Sequence, residues 1–182
     1  MACIRGMMAC TLDGYVADSE GGVGFLAPFE TVDWGWQAFF AQIGTVVMGR
    51  KTYQHLLTLT HDWPYAGAEA IVLGRIDPPL RGGAQVWRDD LAALIAHLRA
   101  RPGGDAWVVG GPALQSAFLA QGALDRLELC VLPHLLGAGL RVFPDGPPPP
   151  RQPRLAGQRA LPMGMVMLDY RFGAEDLGGR DR

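Results

Sequence analysis

Lysine is nearly absent from this chain of 182 residues: Lys51 stands alone against fifteen arginines. Serine is almost as scarce. Only Ser19 and Ser116 occur, neither inside a Gly-X-Ser-X-Gly motif, which argues against a serine hydrolase. The three cysteines, Cys3, Cys10 and Cys130, form no Cys-X-X-Cys pair and leave one over. That argues against a disulfide framework or thiolate zinc site and favours a reducing cytoplasm. His55, His61, His97 and His134 lack metal-ligand spacing, so no metal is expected. The net charge of −2 offers no basic excess for a nucleic-acid backbone.

Long apolar runs are also missing. Residues 106–124 carry no charge, but Gly110-Gly111-Pro112, Gln115, Ser116 and Gln121 interrupt them. A strand, a glycine turn and an amphipathic helix fit this stretch better than a membrane span. The N-terminal apolar run meets Asp13 too soon for a signal peptide. No Gly-X-Gly-X-X-Gly follows a strand, so a Rossmann dinucleotide site is not indicated. There is no internal repeat.

What is present suits one packed domain: 49% apolar and 19% charged residues. Residues 2–9 read as a buried strand ending at the turn Thr11-Leu12-Asp13-Gly14. Asp33 precedes Trp36, Phe39, Phe40 and Ile43, the spacing of a helix with an acidic N-terminus. Residues 45–48 read as a central strand, and Gly49-Arg50-Lys51-Thr52 opens a second helix. Residues 70–73 and 85–87 follow as strands. Asp89 or Asp90 caps a helix bearing Leu91, Leu94, Ile95 and Leu98.

Residues 107–109 form another strand, and Pro112 suits the first turn of the next helix. Strands at 127–132 and 163–172 close the domain, with an extended loop at 147–150 between them. The domain spans residues 1–172, and 173–182 form a polar tail. This alternation predicts a three-layer α/β/α domain whose mostly parallel sheet carries an antiparallel C-terminal edge.

Two junctions carry chemistry. Residues 44–52 nearly spell a P-loop, but the residues between the glycines are strand formers and Arg50 displaces the lysine. A glycine followed by Arg, Lys and Thr at a helix start still offers N–H groups, two cations and a hydroxyl to an anion. An ordinary strand–helix turn fits the same residues. Gly110-Gly111, between a strand and a helix, is a second place where backbone can approach a ligand closely. Together they suggest a crevice at the carboxyl ends of the strands.

Five segments in order then bear a family resemblance: residues 8–17, Val47–Tyr53, Ile71–Arg75, Val108–Pro112, and the run from Pro133 to Gly139. Spanning residues 2–172, they resemble the dihydrofolate reductase superfamily, in particular the branch similar to the C-terminal reductase domain of the bifunctional riboflavin-biosynthesis deaminase/reductase. The resemblance implies an eight-stranded mixed sheet that binds NADPH. It would put Gly49, Arg50, Lys51 and Thr52 at the diphosphate and 2′-phosphate, and Leu73, Gly74 and Arg75 near the adenosine. Gly110 and Gly111 would meet the diphosphate and nicotinamide, with Ala9 and Ala17 lining the nicotinamide pocket. Asp33 would be the acidic substrate-binding and catalytic residue, with Trp36 and Gln37 beside the substrate. Asp33 also reads as a plain helix cap.

Departures from the family pattern narrow the substrate. No Lys or Arg occurs from Thr52 to Gly74 to clamp a folate tail, and Gln37 stands where an aromatic ring usually stacks. The paired-aspartate loop of the riboflavin enzyme is missing, there is no deaminase zinc motif, and Ala138 replaces a glycine. The reading is an NADPH-dependent reductase acting on a small heterocycle, most like 5-amino-6-(5-phosphoribosylamino)uracil reductase. Dihydrofolate reductase and a non-catalytic NADPH- or ligand-binding protein are the alternatives. Arg5 and Arg141 are the cations left for a substrate phosphate. A homodimer is expected, through the apolar stretches 127–136 and 163–168, with neither nucleic acid nor membrane as partner.

Overall fold

Val46, Val47 and Met48 are all fully buried, because both faces of their strand are covered. The computed structural model describes residues 2–77 and 80–173. The chain begins β1 (Ile4–Thr11), β2 (Tyr15–Ala17), α1 (Trp36–Phe40), β3 (Ile43–Gly49), α2 (Arg50–Leu59), β4 (Glu69–Leu73) and β5 (Gln85–Trp87). It continues α3 (Leu91–Ala100), β6 (Asp105–Gly110), α4 (Pro112–Ala120), β7 (Arg126–Leu132), β8 (Leu140–Arg141), β9 (Arg154–Ala160) and β10 (Val166–Arg171). The main sheet has eight strands in the order β5-β4-β3-β6-β1-β7-β10-β9. Its strands run parallel except β10, which is antiparallel to both β7 and β9. β2 and β8 form a separate ribbon. The expected mostly parallel sheet with an antiparallel edge is therefore present.

Side chains alternate between two cores. Val47, Ile71 and Val108 pack with Leu94 and Leu98 of α3 and Phe118 of α4. Val46, Met48, Val72 and Trp107 face the other way, toward Phe39 of α1 and Tyr53 of α2. Asp90 caps α3 by accepting from Ala93 N–H at 2.7 Å, and Pro112 opens α4, as the sequence predicts.

Three expectations need correction. The helix from Asp33 shrinks to Trp36–Phe40, and its N-cap is Gly35 in the left-handed region (φ 96°), with no side-chain cap. Ile43 joins β3 instead, since parallel pairing with Asp105 of β6 outweighs helical periodicity. The final strand is shorter than 163–172, because Pro162–Gly164 forms a 3₁₀ turn. β9 was not foreseen. Its Arg-Leu-Ala-Gly-Gln-Arg-Ala sequence is almost wholly exposed at the sheet edge and carries little hydrophobic pattern.

Of the stretches expected to form a dimer interface, Leu127, Leu129, Leu132, Met165 and Met167 are buried in the protein's own core. Residues 174–182 of the expected tail lie outside the described residues. Among the described residues, no helix is long and apolar enough to cross a membrane, and no cluster of His, Cys, Asp or Glu is placed to hold a metal.

Candidate functional site

The glycine junctions meet because their strands are neighbours. Gly49 lies opposite Leu73 in the β3–β4 ladder, and Met48 opposite Gly110 in the β3–β6 ladder. A Cβ on Gly111 would lie 3.4 Å from Thr52 Oγ1. Gly74 sits at φ 115°, and a Cβ there would come within 3.2 Å of Arg50 Cβ. That conformation and that contact favour glycine. The Gly110–Gly111 peptide is cis.

Two helices start at this cluster. Gly49 is the N-cap of α2 and Gly111 that of α4, and neither helix has a side-chain cap. Their leading N–H groups and dipoles favour an anion. Arg50, Lys51 and Arg75 are exposed beside them and enter no ion pair among the described residues. Arg50 Nη1 donates to Gln54 Oε1 at 3.1 Å.

One strand further along, β1 and β7 floor a cavity of about 170 Å³ with Met7, Ala9, Cys130 and Leu132. A cavity of ~150 Å³ accepts one benzene-sized ring, so there is room for a single heterocycle. Leu26, Phe29, Glu30 and Trp34 cover it. Leu26 and Phe29 belong to a 3₁₀ segment, Gly24–Phe29, and Glu30 and Trp34 follow it before α1. Phe25 stacks on His134 with ring centres 5.7 Å apart, tying this segment to the loop after β7. Burial pushes the Cys130 thiol up, so it is a packing group rather than a nucleophile.

Among the expected substrate residues, none lines this cavity. Asp33 is exposed, and its Oδ1 accepts from Gly35 N–H at 2.8 Å, a local turn rather than a helix cap. Trp36 belongs to an aromatic cluster, stacked on Phe40 at 4.9 Å and edge-on to Trp107 at 5.8 Å. Gln37 is exposed. The carboxylate in the wall is Glu30, three residues earlier, and the indole is Trp34. Sequence reasoning missed both, because the turn that aims them has no spacing signature. Ala9 is in the cavity floor, whereas Ala17 lies in the β2–β8 ribbon with its carbonyl against Gly139.

The loop from Pro133 to Gly139 is held by Asp13. Its carboxylate accepts from Thr11 Oγ1 at 2.6 Å, Leu136 N–H at 3.0 Å and Gly137 N–H at 2.7 Å. These bonds hold the Asp13 carboxyl down at about 2, with the Thr11 hydroxyl the largest cause.

Known proteins share this fold. The family model described as RibD C-terminal domain matches residues 3–167. The uncharacterized protein YwjB from Bacillus subtilis (strain 168) is 31% identical over 138 residues, covering 75% of this chain and 79% of its own. A Shewanella sp. PV-4 protein assigned to riboflavin biosynthesis superposes with a TM-score of 0.82 at 25% identity, covering 95% of this chain and 99% of that one. A Thermotoga maritima diaminohydroxyphosphoribosylaminopyrimidine deaminase/5-amino-6-(5-phosphoribosylamino)uracil reductase has the same fold. It superposes with a TM-score of 0.68 at 16% identity, over 94% of this chain and 57% of that one. This chain belongs to the RibD C-terminal domain family.

Proposed function

We propose that this protein is an NADPH-dependent reductase that delivers a hydride to a small pyrimidine-like heterocycle, most like 5-amino-6-(5-phosphoribosylamino)uracil reductase. The observation that carries this reading is the meeting of Gly49–Thr52, Leu73–Arg75 and Gly110–Gly111 one strand away from a ring-sized cavity. The residues present fit such a cofactor. Two uncapped helix N-termini suit a diphosphate, and three exposed cations suit the 2′-phosphate.

When bound, NADPH supplies the hydride. Gly49 and Gly111 let backbone N–H groups approach the diphosphate, while Arg50, Lys51 and Arg75 hold the adenosine side. Ala9 keeps the cavity floor low, so a reacting ring can lie close to its donor. Leu26, Phe29 and Trp34 exclude water. Glu30 binds the polar edge of the heterocycle and delivers the proton that accompanies reduction, the role expected of Asp33.

Dihydrofolate is disfavoured as substrate, because no Lys or Arg stands between Thr52 and Gly74 to hold its carboxylate tail. We further propose a homodimer, resting on the exposed Leu155, Met163 and Val166 of the outer hairpin. The deciding experiment is NADPH oxidation with 5-amino-6-(5-phosphoribosylamino)uracil, with dihydrofolate, and with no substrate. Oxidation only with the pyrimidine supports the reading. Tight NADPH binding with no turnover on either compound favours a ligand-binding protein instead.

A further inference from the structure

Among the described residues, Trp34 alone lines two cavities: the ring-sized one of about 170 Å³ and a second of about 280 Å³. It is the wall between them. Both lie on one face of the sheet, where Arg5, Met7 and Ala9 alternate along β1 and Glu128, Cys130 and Leu132 along β7. The ring-sized cavity takes the later residues of each series, and the second takes Arg5 and Glu128. A wall with a cavity on each side can swing. Rotation to another staggered rotamer would carry the indole into the second cavity and join the two.

Little holds Trp34 where it stands. Among the described residues, residues 24–35 make only local hydrogen bonds, with one exception: Arg159 of β9 donates to the Trp34 carbonyl. Arg159 is exposed and has no carboxylate partner among the described residues. It packs on Gly35, at φ 96°, where a Cβ would lie 3.2 Å from Nη2. The indole itself meets Trp36 edge-on at 5.6 Å and Phe39 at 5.9 Å.

The other charges of the second cavity are committed to one another. Arg5 is 1% exposed and donates to Gln42 Oε1 at 3.0 Å, Asp105 Oδ2 at 3.2 Å and Glu128 Oε2 at 2.6 Å. Arg126 grips Asp169 through two bonds of 2.7 and 2.9 Å and lies 3.2 Å from Glu128 Oε1. Arg141 lies over the Tyr15 ring at 5.4 Å and lines neither cavity. The second cavity is thus a fixed ionic frame, and its guanidinium groups attract the face of an indole turned toward them.

We propose that Trp34, clasped by Arg159, sets the size of heterocycle the site accepts. While the clasp holds, the first cavity takes one ring; when it is released, the joined cavities admit two fused rings. Trp34 is the specificity-determining residue, and Arg159 positions it. The proposal rests on reading the first cavity as the seat of the ring.

Calorimetry on the full chain with 5,6-diaminouracil, a single ring, and pterin, two fused rings, tests it. The native protein should bind the single ring more tightly by about tenfold or more. Trp34→Ala removes the wall and should reverse that order. Arg159→Gln, at an exposed position, should move the ratio of the two affinities toward pterin by about tenfold, the loss expected for one charge-assisted bond. Arg159→Lys still donates to the carbonyl and should keep the native ratio, a rescue that a merely structural role would not show. Both Arg159 variants should leave NADPH affinity unchanged.

Four results would overturn the proposal: no binding of either ring at millimolar concentration, no native preference for the single ring, a native ratio in both Trp34→Ala and Arg159→Gln, or the same shift in Arg159→Lys as in Arg159→Gln. If NADPH fails to bind the native chain while the two rings behave as expected, the reductase reading falls and the partition stands. If NADPH binds and the ratio does not move, the partition falls and the reductase reading stands.

Discussion

Asp13 Oδ2 accepts a hydrogen bond from the backbone N–H of Gly137 at 2.7 Å, joining two turns that lie 124 residues apart in the chain. The contact links the first and last family-like segments. It also has a pH signature, since the folded carboxyl titrates at about 2 against an ordinary 3.8. A depressed folded pKa gives stability that is present above about pH 4 and lost as pH falls toward 2. Thermal melts of the native chain should therefore decline across that window. Asp13→Asn should show a flatter decline; identical pH profiles for the two would remove Asp13 from this role.

Glu30 and Asp33 are both exposed, and of the two Glu30 lines the ring-sized cavity. Glu30→Gln should lower turnover by ~10²-fold, the low end for a general acid, with NADPH affinity intact. Asp33→Asn should stay within about threefold of native turnover, because Asn forms the same turn with Gly35. Steady-state rates for the two variants decide which carboxylate serves the reaction. The reverse ranking would return the role to Asp33.

Cofactor preference follows from the cations at the glycine cluster. A charge-assisted bond to the 2′-phosphate contributes about 1.5–3 kcal/mol, so NADPH should bind at least tenfold more tightly than NADH. Arg50→Ala and Arg75→Ala should erode that gap by weakening NADPH alone. Titration of protein fluorescence with both cofactors measures it, and equal affinities in the native chain would contradict the assignment.

Gln115 is fully buried in α4, and neither of its amide atoms has a partner among the described residues. Its Oε1 faces Gly6 of β1, where a Cβ would approach to 2.6 Å. Replacing an unpartnered amide with an unbranched apolar side chain removes a desolvation cost of about 1–3 kcal/mol. Gln115→Met should raise Tm by several degrees. Gly6→Ala should lower it. Calorimetric melts check both, and a destabilised Gln115→Met would reveal a partner for the amide.

The outer hairpin exposes Leu155 at 51% and Met163 at 54%. If these form the two-fold contact, light scattering should give a dimer mass, and Leu155→Glu/Met163→Glu should give a monomer with unchanged secondary structure. A monomeric native chain across a tenfold concentration range would exclude the dimer.

The alternation of apolar runs with amphipathic segments was enough to establish the α/β class, the central strands and the start of α4 at Pro112. Local physics suffices there, because burial period and helix caps are written in neighbouring residues. The glycine junctions at Gly49 and Gly110 were legible for the same reason. The lining of the ring-sized cavity was not. Asp33 has the spacing of a family acid, yet Gly35 turns the chain in the left-handed region and leaves that carboxylate at the surface.

Which groups wall the cavities depends on how the 24–35 segment sits against β1 and β7, and on an edge strand, β9, that brings Arg159 to Trp34 from 125 residues away. Those pairings are long-range. Neither hydrophobic period nor local propensity encodes them, so only the folded sheet could decide that Glu30, Trp34 and Arg159 line the cavities.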